Sequence, residues 1–144
     1  MLDKILLIED NQTDIELTRR AFKKCLSEQT LEVKEDGQDA LDFLASCKNS
    51  SNELPKLILL DLKLPKISGL EVLRQIKADT GSRHIPVIVL TSSGEENDIA
   101  AAYDLGANSY IRKPVDFKLF AESLQILVDY WFKLNLMPPR QNYQ

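Results

Sequence analysis

Short runs of strand length alternate along this sequence with longer segments whose apolar residues recur every three or four positions. Parallel strands need a long crossover between them, and a helix is the usual crossover. A regular alternation of this kind therefore predicts one parallel sheet with helices on both faces. The strand-length runs are "KILLIE", "LEVKE", "KLILLD", "PVIVLT" and "SYIRK".

The composition of each run predicts where its strand lies in the sheet. The first, third and fourth runs are apolar on both faces, as expected of central strands. The second run carries Glu32, Lys34 and Glu35, which places it at one edge, and the short fifth run belongs at the other. We therefore expect an α/β, flavodoxin-like, doubly wound five-stranded parallel sheet of order 2-1-3-4-5 with five helices. The expected domain covers 1–137, with an extended C-terminal helix, and 138–144 form a tail.

Charge and hydropathy exclude several classes of function. Lys and Arg number 18 against 22 Asp and Glu, and the resulting net charge of -4 gives no global attraction for nucleic acid or an anionic membrane. No apolar run approaches the roughly 18 residues that a membrane span needs, and the N-terminus does not read as a signal peptide. We expect a soluble, cytoplasmic protein that binds neither nucleic acid nor membrane.

Polar residues that could carry chemistry stand at the carboxyl ends of four predicted strands. Glu9 and Asp10 follow the first strand, Asp61 the third, Thr91 ends the fourth, and Lys113 ends the fifth. These ends meet at one rim of a parallel sheet, where ligands bind. Clustered carboxylates repel one another and call for a hard cation such as Mg²⁺. The central Asp61 is then a candidate nucleophile toward a phosphoryl group.

Four segments carry a resemblance to a known family. "LLIEDN", "LILLDLKLP", "VIVLTSS" and "LGANSYIRKP" occur in this order, and together they resemble the receiver domains of two-component response regulators. The resemblance covers nearly the whole chain. It implies that a histidine kinase transfers a phosphoryl group to Asp61, with slow self-dephosphorylation and no further enzymatic activity.

The resemblance also implies roles for the other residues of the rim. It makes Asp10 and Asp61 direct ligands of Mg²⁺, with the backbone carbonyl of Lys63 as the third ligand and Glu9 acting through water. It makes Thr91 and Tyr110 a switch pair, whose hydroxyl and ring move when Asp61 is phosphorylated, and Lys113 a partner of the phosphoryl group. It further implies a cis peptide bond between Lys113 and Pro114.

A narrower resemblance, to the single-domain regulators of phytochrome histidine kinases, comes from three features. They are "DLKLP", the long loop "KADTGSRHIPV" and the aromatic C-terminal helix. That helix continues past its core stripe into Tyr130, Trp131, Phe132 and further apolar residues, which a small sheet cannot cover. We expect a homodimer through this helix; the alternative is that these residues fold back over the edge of their own domain.

Two other classes of function stay open at this stage. One is a phosphohydrolase with an aspartyl nucleophile, but the acid that such enzymes carry two residues later is here Lys63. The other is a binding module that never turns over phosphate. Few residues follow the last helix, so we expect no separate output domain. We expect the chain to signal by contact with partner proteins.

Overall fold

The computed structural model describes residues 2–25, 28–49 and 54–139. Their strands form one sheet in the order β2-β1-β3-β4-β5, and every neighbouring pair is parallel. The predicted class, strand order and edge positions are confirmed. The strands are β1 (Asp3–Ile8), β2 (Gln29–Lys34), β3 (Leu57–Leu60), β4 (Val87–Thr91) and β5 (Ser109–Arg112).

A helix follows each strand, as predicted. A 3₁₀ turn, Cys47–Asn49, extends the second helix, and a π-helical turn, Asp129–Leu134, extends the fifth. In the described ranges no helix is both long and apolar enough to cross a bilayer. The helices are α1 (Gln12–Cys25), α2 (Gly37–Ser46), α3 (Gly69–Ala78), α4 (Glu96–Asp104) and α5 (Phe117–Val128).

The side chains of the central strands alternate between two apolar cores, one on each face of the sheet. Leu6 and Ile8 of β1 pack with α2, α3 and α4, whereas Ile5 and Leu7 pack with α1 and α5. All four residues of β3 are fully buried, which accounts for its uninterrupted apolar sequence. These two cores fix the carboxyl ends of β1, β3 and β4 side by side.

Short polar side chains fix where three of the helices begin. Asp36 accepts the backbone N–H of Asp39 at 2.8 Å at the start of α2, and Ser68 accepts that of Glu71 at 3.2 Å at the start of α3. Asp116 accepts two N–H groups of the first turn of α5. Each cap satisfies a donor that the helix leaves unpaired, so the loops at the rim have defined ends.

The C-terminal segment only partly meets the expectation of an overhanging helix. The helical chain ends at Leu134, and Asn135 is extended. Trp131, Phe132 and Met137 pack against the core between the sheet, α1 and α5, so for them the alternative of folding back is correct. Other apolar side chains on and around α5 stay exposed: Leu119, Ile126, Tyr130, Leu134 and Leu136. Residues 140–144 of the predicted tail lie outside the described residues.

Candidate functional site

The predicted rim brings four residues together around one ammonium group. Glu9 lies just after β1, Asp61 just after β3, Thr91 ends β4, and Lys113 lies just after β5. The Lys113 side chain is 9% exposed and crosses the rim, where its Nζ donates to Glu9 Oε1 and, at 3.2 Å, to Asp61 Oδ2. A buried cation thus joins the ends of β1, β3 and β5.

Asp61 is held from several directions. Its Oδ1 accepts the Thr91 hydroxyl at 2.7 Å and the backbone N–H of Lys63 at 3.1 Å, while its Oδ2 faces Lys113. The residue is 7% exposed, and its backbone N–H donates to the carbonyl of Ile8 at 3.0 Å. Buried carboxylates are costly unless paired and hydrogen-bonded, and here every oxygen has a donor.

The three groups at the centre of the rim shift one another's pKa. Burial raises the pKa of Glu9 to about 7 despite the lowering effect of Lys113. Burial also opposes ionisation of Asp61, but Lys113 and the hydrogen bonds from Glu9, Thr91 and Lys63 bring its pKa below the ordinary value. Burial disfavours the charge of Lys113, yet the two carboxylates hold its pKa above the ordinary range. Asp61 is therefore the carboxylate that stays ionised, as a nucleophile requires, and Glu9 is the one that takes up a proton first as the pH falls.

Asp14 is a member of the site that the sequence analysis missed. Its Oδ2 accepts a third hydrogen bond from Lys113 Nζ, at 2.9 Å. Asn11 caps the backbone N–H of Asp14 at 3.0 Å, which places Asp14 in the first turn of α1. The sequence does carry a signal, since Asp14 lies about one helical turn after the acidic pair, on the helix that starts beside it.

The carboxylates that meet at the rim are not all the predicted ones. Oxygens of Glu9, Asp14 and Asp61 lie within 4.8 Å of one another. Asp10 is exposed and lies outside this group, and the Lys63 side chain is also exposed, with its backbone N–H directed at Asp61.

The donor set fits a hard divalent cation. Three carboxylates share a single ammonium, which leaves the cluster with surplus negative charge when all are ionised. Carboxylate oxygens are the ligands that Mg²⁺ prefers, and Mg²⁺ needs only one or two of them. The residues present are therefore compatible with the expected metal.

Gly69 lets the backbone of the acceptor loop approach α3. A Cβ at this position would lie 2.4 Å from the carbonyl oxygen of Asp61 and 2.4 Å from Cα of Leu62, both rigid backbone atoms. The Gly69 N–H donates to the carbonyl of Leu62 at 3.0 Å, which closes the loop. The glycine in the motif "LPKISG" is therefore required by close packing.

We expect Gly69→Ala to lower the free energy of unfolding by about 1–3 kcal/mol, because the backbone around Asp61 must move to admit the methyl group. Chemical denaturation measures this loss. Gly81→Ala is the matched control, since its Cβ would meet chiefly the end of the flexible Lys48 side chain. Equal stabilities for the two variants would contradict the role given to Gly69.

Tyr110 lies beside the segment that carries Thr91. Its ring is half-buried and packs against the core under α4, and its hydroxyl donates to the carbonyl of Ser93 at 2.8 Å. The predicted switch residues are thus on adjacent strands, and Tyr110 is joined to Thr91 through Ser92 and Ser93, the two residues that follow Thr91.

The expected cis peptide bond is wrong for this structure: the Lys113–Pro114 bond is trans. The preference for trans at an X-Pro bond is only about 0.5–1 kcal/mol. Residue types alone therefore do not decide between the two isomers.

Comparison with known proteins identifies the family. Residues 5–125 match the family described as "Response regulator receiver domain". The chain belongs to this family. It is thus a receiver domain of a two-component response regulator, a class that signals through phosphorylation and is not a class of enzyme. Both the predicted family and the predicted fold are confirmed.

Individual relatives extend the comparison. The chain is 40% identical to the probable methanogenesis regulatory protein FilR2 of Methanothrix harundinacea, over 93% of this chain and 86% of FilR2. It is 37% identical to response regulator Rcp1 of Synechocystis sp., over 93% of this chain and 92% of Rcp1. The phosphorylated cyanobacterial phytochrome response regulator RcpA superposes with a TM-score of 0.88 at 36% identity, covering 96% of this chain and 100% of RcpA.

The relatives also indicate which metal ion and which kind of partner protein this family binds. Rcp1 has been solved in a Mn²⁺-bound form, which superposes with a TM-score of 0.85 at 36% identity over 95% of this chain and 99% of Rcp1. Receiver domains bind Mg²⁺ or Mn²⁺ at their acidic site, and those of phytochrome response regulators interact with histidine kinases. The resemblance to phytochrome-associated regulators is confirmed.

Proposed function

We propose that Asp61 accepts a phosphoryl group from the phosphohistidine of a histidine kinase. The observation that carries this proposal is the state of Asp61: a buried, ionised carboxylate with Thr91 on one oxygen and Lys113 on the other. A carboxylate oxygen attacks phosphorus, an O–P bond forms, and the P–N bond breaks so that the electron pair leaves with the imidazole. Thr91 and Lys113 are placed to donate to the phosphoryl oxygens once the group is bound.

The proposed cofactor is Mg²⁺. On the family resemblance, Asp61, Asp10 and the backbone carbonyl of Lys63 would hold it directly and Glu9 through water. Asp14 adds a carboxylate beside Glu9 and Asp61. When bound, the ion supplies charge neutralisation for the incoming phosphoryl oxygens. Without the ion, Lys113 is the cation that pairs with the buried carboxylates of Glu9 and Asp61.

Incubation with acetyl phosphate and MgCl₂, followed by intact mass measurement, tests the proposal. We expect a single added phosphoryl group that is lost slowly by self-dephosphorylation. A module that never turns over phosphate would gain no mass. A phosphohydrolase would consume acetyl phosphate continuously without accumulating label. Either result would overturn the proposed function.

A histidine kinase is the proposed donor, and a phytochrome kinase is the favoured kind, because RcpA and Rcp1 resemble this chain along almost its whole length. A cytoplasmic location follows from that donor, since phosphohistidine is made from ATP. The net charge of -4 supports a protein partner over nucleic acid. The proposed extent of the receiver is 1–137, followed by the tail 138–144.

A homodimer is the proposed assembly, with α5 and the π-helical turn at its centre. Leu119, Ile126, Tyr130 and Leu134 are spaced by seven, four and four residues, which places them along one side of the helical chain. Ile126 is 70% exposed and Leu134 75% exposed, unusual for large aliphatic side chains in the same strip. A second copy of this chain would bury the strip by two-fold pairing.

We expect the double variant Ile126→Gln/Leu134→Gln to weaken dimerisation by at least about tenfold, because two centrally placed apolar side chains lose their burial. Sedimentation velocity over a concentration series measures the dissociation constant. Lys118→Gln, an exposed position of the same helix that lies off the strip, is the control and should dimerise normally. A wild-type chain that is monomeric at every concentration, with and without phosphorylation, would refute the dimer.

A further inference from the structure

The loop between β4 and α4 makes hydrogen bonds that do not involve the carboxylate group of Glu9, Asp14 and Asp61. Ser93 in this loop is 8% exposed, although it lies between exposed neighbours. Its hydroxyl donates to Asp98 Oδ2 at 2.5 Å and accepts the backbone N–H of Glu95 at 3.3 Å. Its carbonyl accepts the Tyr110 hydroxyl at 2.8 Å. One buried serine therefore joins α4 to the aromatic residue of β5.

The same loop is tied to the acceptor through Thr91. The Thr91 hydroxyl donates to Asp61, and the Thr91 carbonyl accepts the backbone N–H of Lys113 at 2.8 Å. Arg112 donates from Nε to the carbonyl of Ser92 at 3.3 Å. The position of Ser93 is thus constrained by β5 on one side, and Asp98 provides the constraint from the helix on the other.

Asp98 takes the place that an N-cap side chain would otherwise have. Glu95 occupies the N-cap position of α4 but makes no side-chain cap hydrogen bond. Asp98 instead reaches back from the first turn to the Ser93 hydroxyl, which itself bonds the Glu95 N–H. If the pair served only to cap α4, its loss would change helix stability and leave Tyr110 where it is.

We propose that Asp98 is a positioning residue for the switch: through the Ser93 hydroxyl it fixes the carbonyl that holds the Tyr110 side chain beside the acceptor loop. Without Asp98 the loop loses its anchor on α4, and the Ser93 carbonyl that accepts the Tyr110 hydroxyl is no longer fixed in place. Tyr110 then becomes more exposed, and Thr91 becomes less firmly held on Asp61. The contacts that join Asp98, Ser93 and Tyr110 do not depend on what Asp61 does, whereas the effect on phosphorylation rests on the proposed function of Asp61.

The state of Tyr110 agrees with this role. Burial raises the pKa of the Tyr110 phenol, and the nearby charges of Asp98 and Asp61 act in the same direction against the hydrogen bond to Ser93. The hydroxyl therefore carries its proton at neutral pH and acts as a donor.

The first arm of the test uses unphosphorylated protein with ¹³Cζ-labelled tyrosine, with the Tyr110 signal assigned from Tyr110→Phe. We expect Asp98→Ala, which removes the acceptor of the Ser93 hydroxyl, and Ser93→Ala to move the signal toward that of Tyr103, which is 50% exposed on α4. Glu96→Gln, in the same turn of α4, is the control for the lost charge at the helix N-terminus and should leave the signal unchanged. Ser93→Thr keeps the hydroxyl and should restore the wild-type signal. An unchanged Tyr110 signal in folded Asp98→Ala would overturn the proposal.

The second arm measures labelling by acetyl phosphate. We expect Asp98→Ala to lower the equilibrium extent of phosphorylation about threefold to tenfold, the size of one or two net hydrogen bonds, while Glu96→Gln labels like wild type. If wild type is not labelled at all, the proposed function of Asp61 fails, and the first arm still decides the role of Asp98. If wild type is labelled and Tyr110 moves without any change in labelling, Asp98 does not position the switch for phosphorylation, and that part of the proposal falls.

Discussion

Asp61→Asn is expected to gain no phosphoryl group from acetyl phosphate and MgCl₂ under conditions that label wild type stoichiometrically. The amide oxygen that replaces the carboxylate is a far weaker nucleophile, and no other carboxylate of the cluster is held in the same way. Glu9 is only partly ionised near neutral pH, because burial raises its pKa to about 7. Asp14 lies on α1 and lacks the Thr91 hydroxyl that Asp61 receives.

The same substitution should leave the fold intact. The Asn amide oxygen can still accept from Thr91 and from the Lys63 N–H, and Lys113 keeps Glu9 and Asp14 as partners. The variant loses one ion pair and one carboxylate repulsion, so we expect a change in the free energy of unfolding within about 1 kcal/mol, with slight stabilisation favoured. Intact mass and thermal unfolding measure the two effects.

Asp104→Asn, at the exposed last residue of α4 and outside the group of Glu9, Asp14 and Asp61, is the control and should label like wild type. Stoichiometric phosphorylation of Asp61→Asn would show that another residue is the acceptor. Loss of label together with an unfolded chain would contradict the expectation that the fold stays intact.

The fold could be predicted from the sequence because its signals are local and agree with one another. Each buried strand is a short apolar run, and the mixed composition of Glu32, Lys34 and Glu35 indicates an edge without any knowledge of packing. The caps Asp36, Ser68 and Asp116 mark helix starts in the same way. Parallel pairing then places the carboxyl ends on one rim, so the positions of Glu9, Asp61, Thr91 and Lys113 follow from topology.

Some parts of the site depend on how a helix is rotated about its axis or on which atom a side chain contacts. These parts could not be predicted in the same way. Whether Asp10 or Asp14 faces the rim depends on how α1 is turned about its axis and on how Asn11 begins that helix. The partner of the Tyr110 hydroxyl is a backbone carbonyl, which has no signature in the sequence. The isomer of the Lys113–Pro114 bond rests on a small energy difference.

The C-terminal segment shows a different limit. Trp131 and Phe132 pack onto the core, whereas Tyr130 beside them is 46% exposed. A continuous α-helix would distribute these three residues around its circumference in a fixed pattern, but the π-helical turn from Asp129 to Leu134 changes that pattern. Apolar composition predicted that some of these residues lack cover, and only the geometry shows which ones.

Lys113→Ala is expected to lower the stability of the metal-free protein by about 2–4 kcal/mol at neutral pH, because it leaves two buried carboxylates without their cation. The Lys113 side chain is 9% exposed and joins the ends of β1, β3 and β5 through Glu9 and Asp61, so surface screening is weak. Glu9 takes up a proton readily, which keeps the loss at the lower end of what a broken buried ion pair costs.

MgCl₂ separates this role of Lys113 from a role in building the metal site. Lys113 neutralises the same carboxylates that a divalent cation would, so the alanine variant should bind Mg²⁺ at least as tightly as wild type and regain stability when it does. Calorimetry measures the affinity, and thermal unfolding with and without MgCl₂ measures the recovery. Phosphorylation by acetyl phosphate should be impaired even at saturating MgCl₂, because the phosphoryl oxygens then lack the Lys113 donor. Lys118→Ala, an exposed lysine at the start of α5, should match wild type in all three measurements. Loss of Mg²⁺ binding in Lys113→Ala would mean that the ammonium organises the carboxylates for the metal instead of substituting for it.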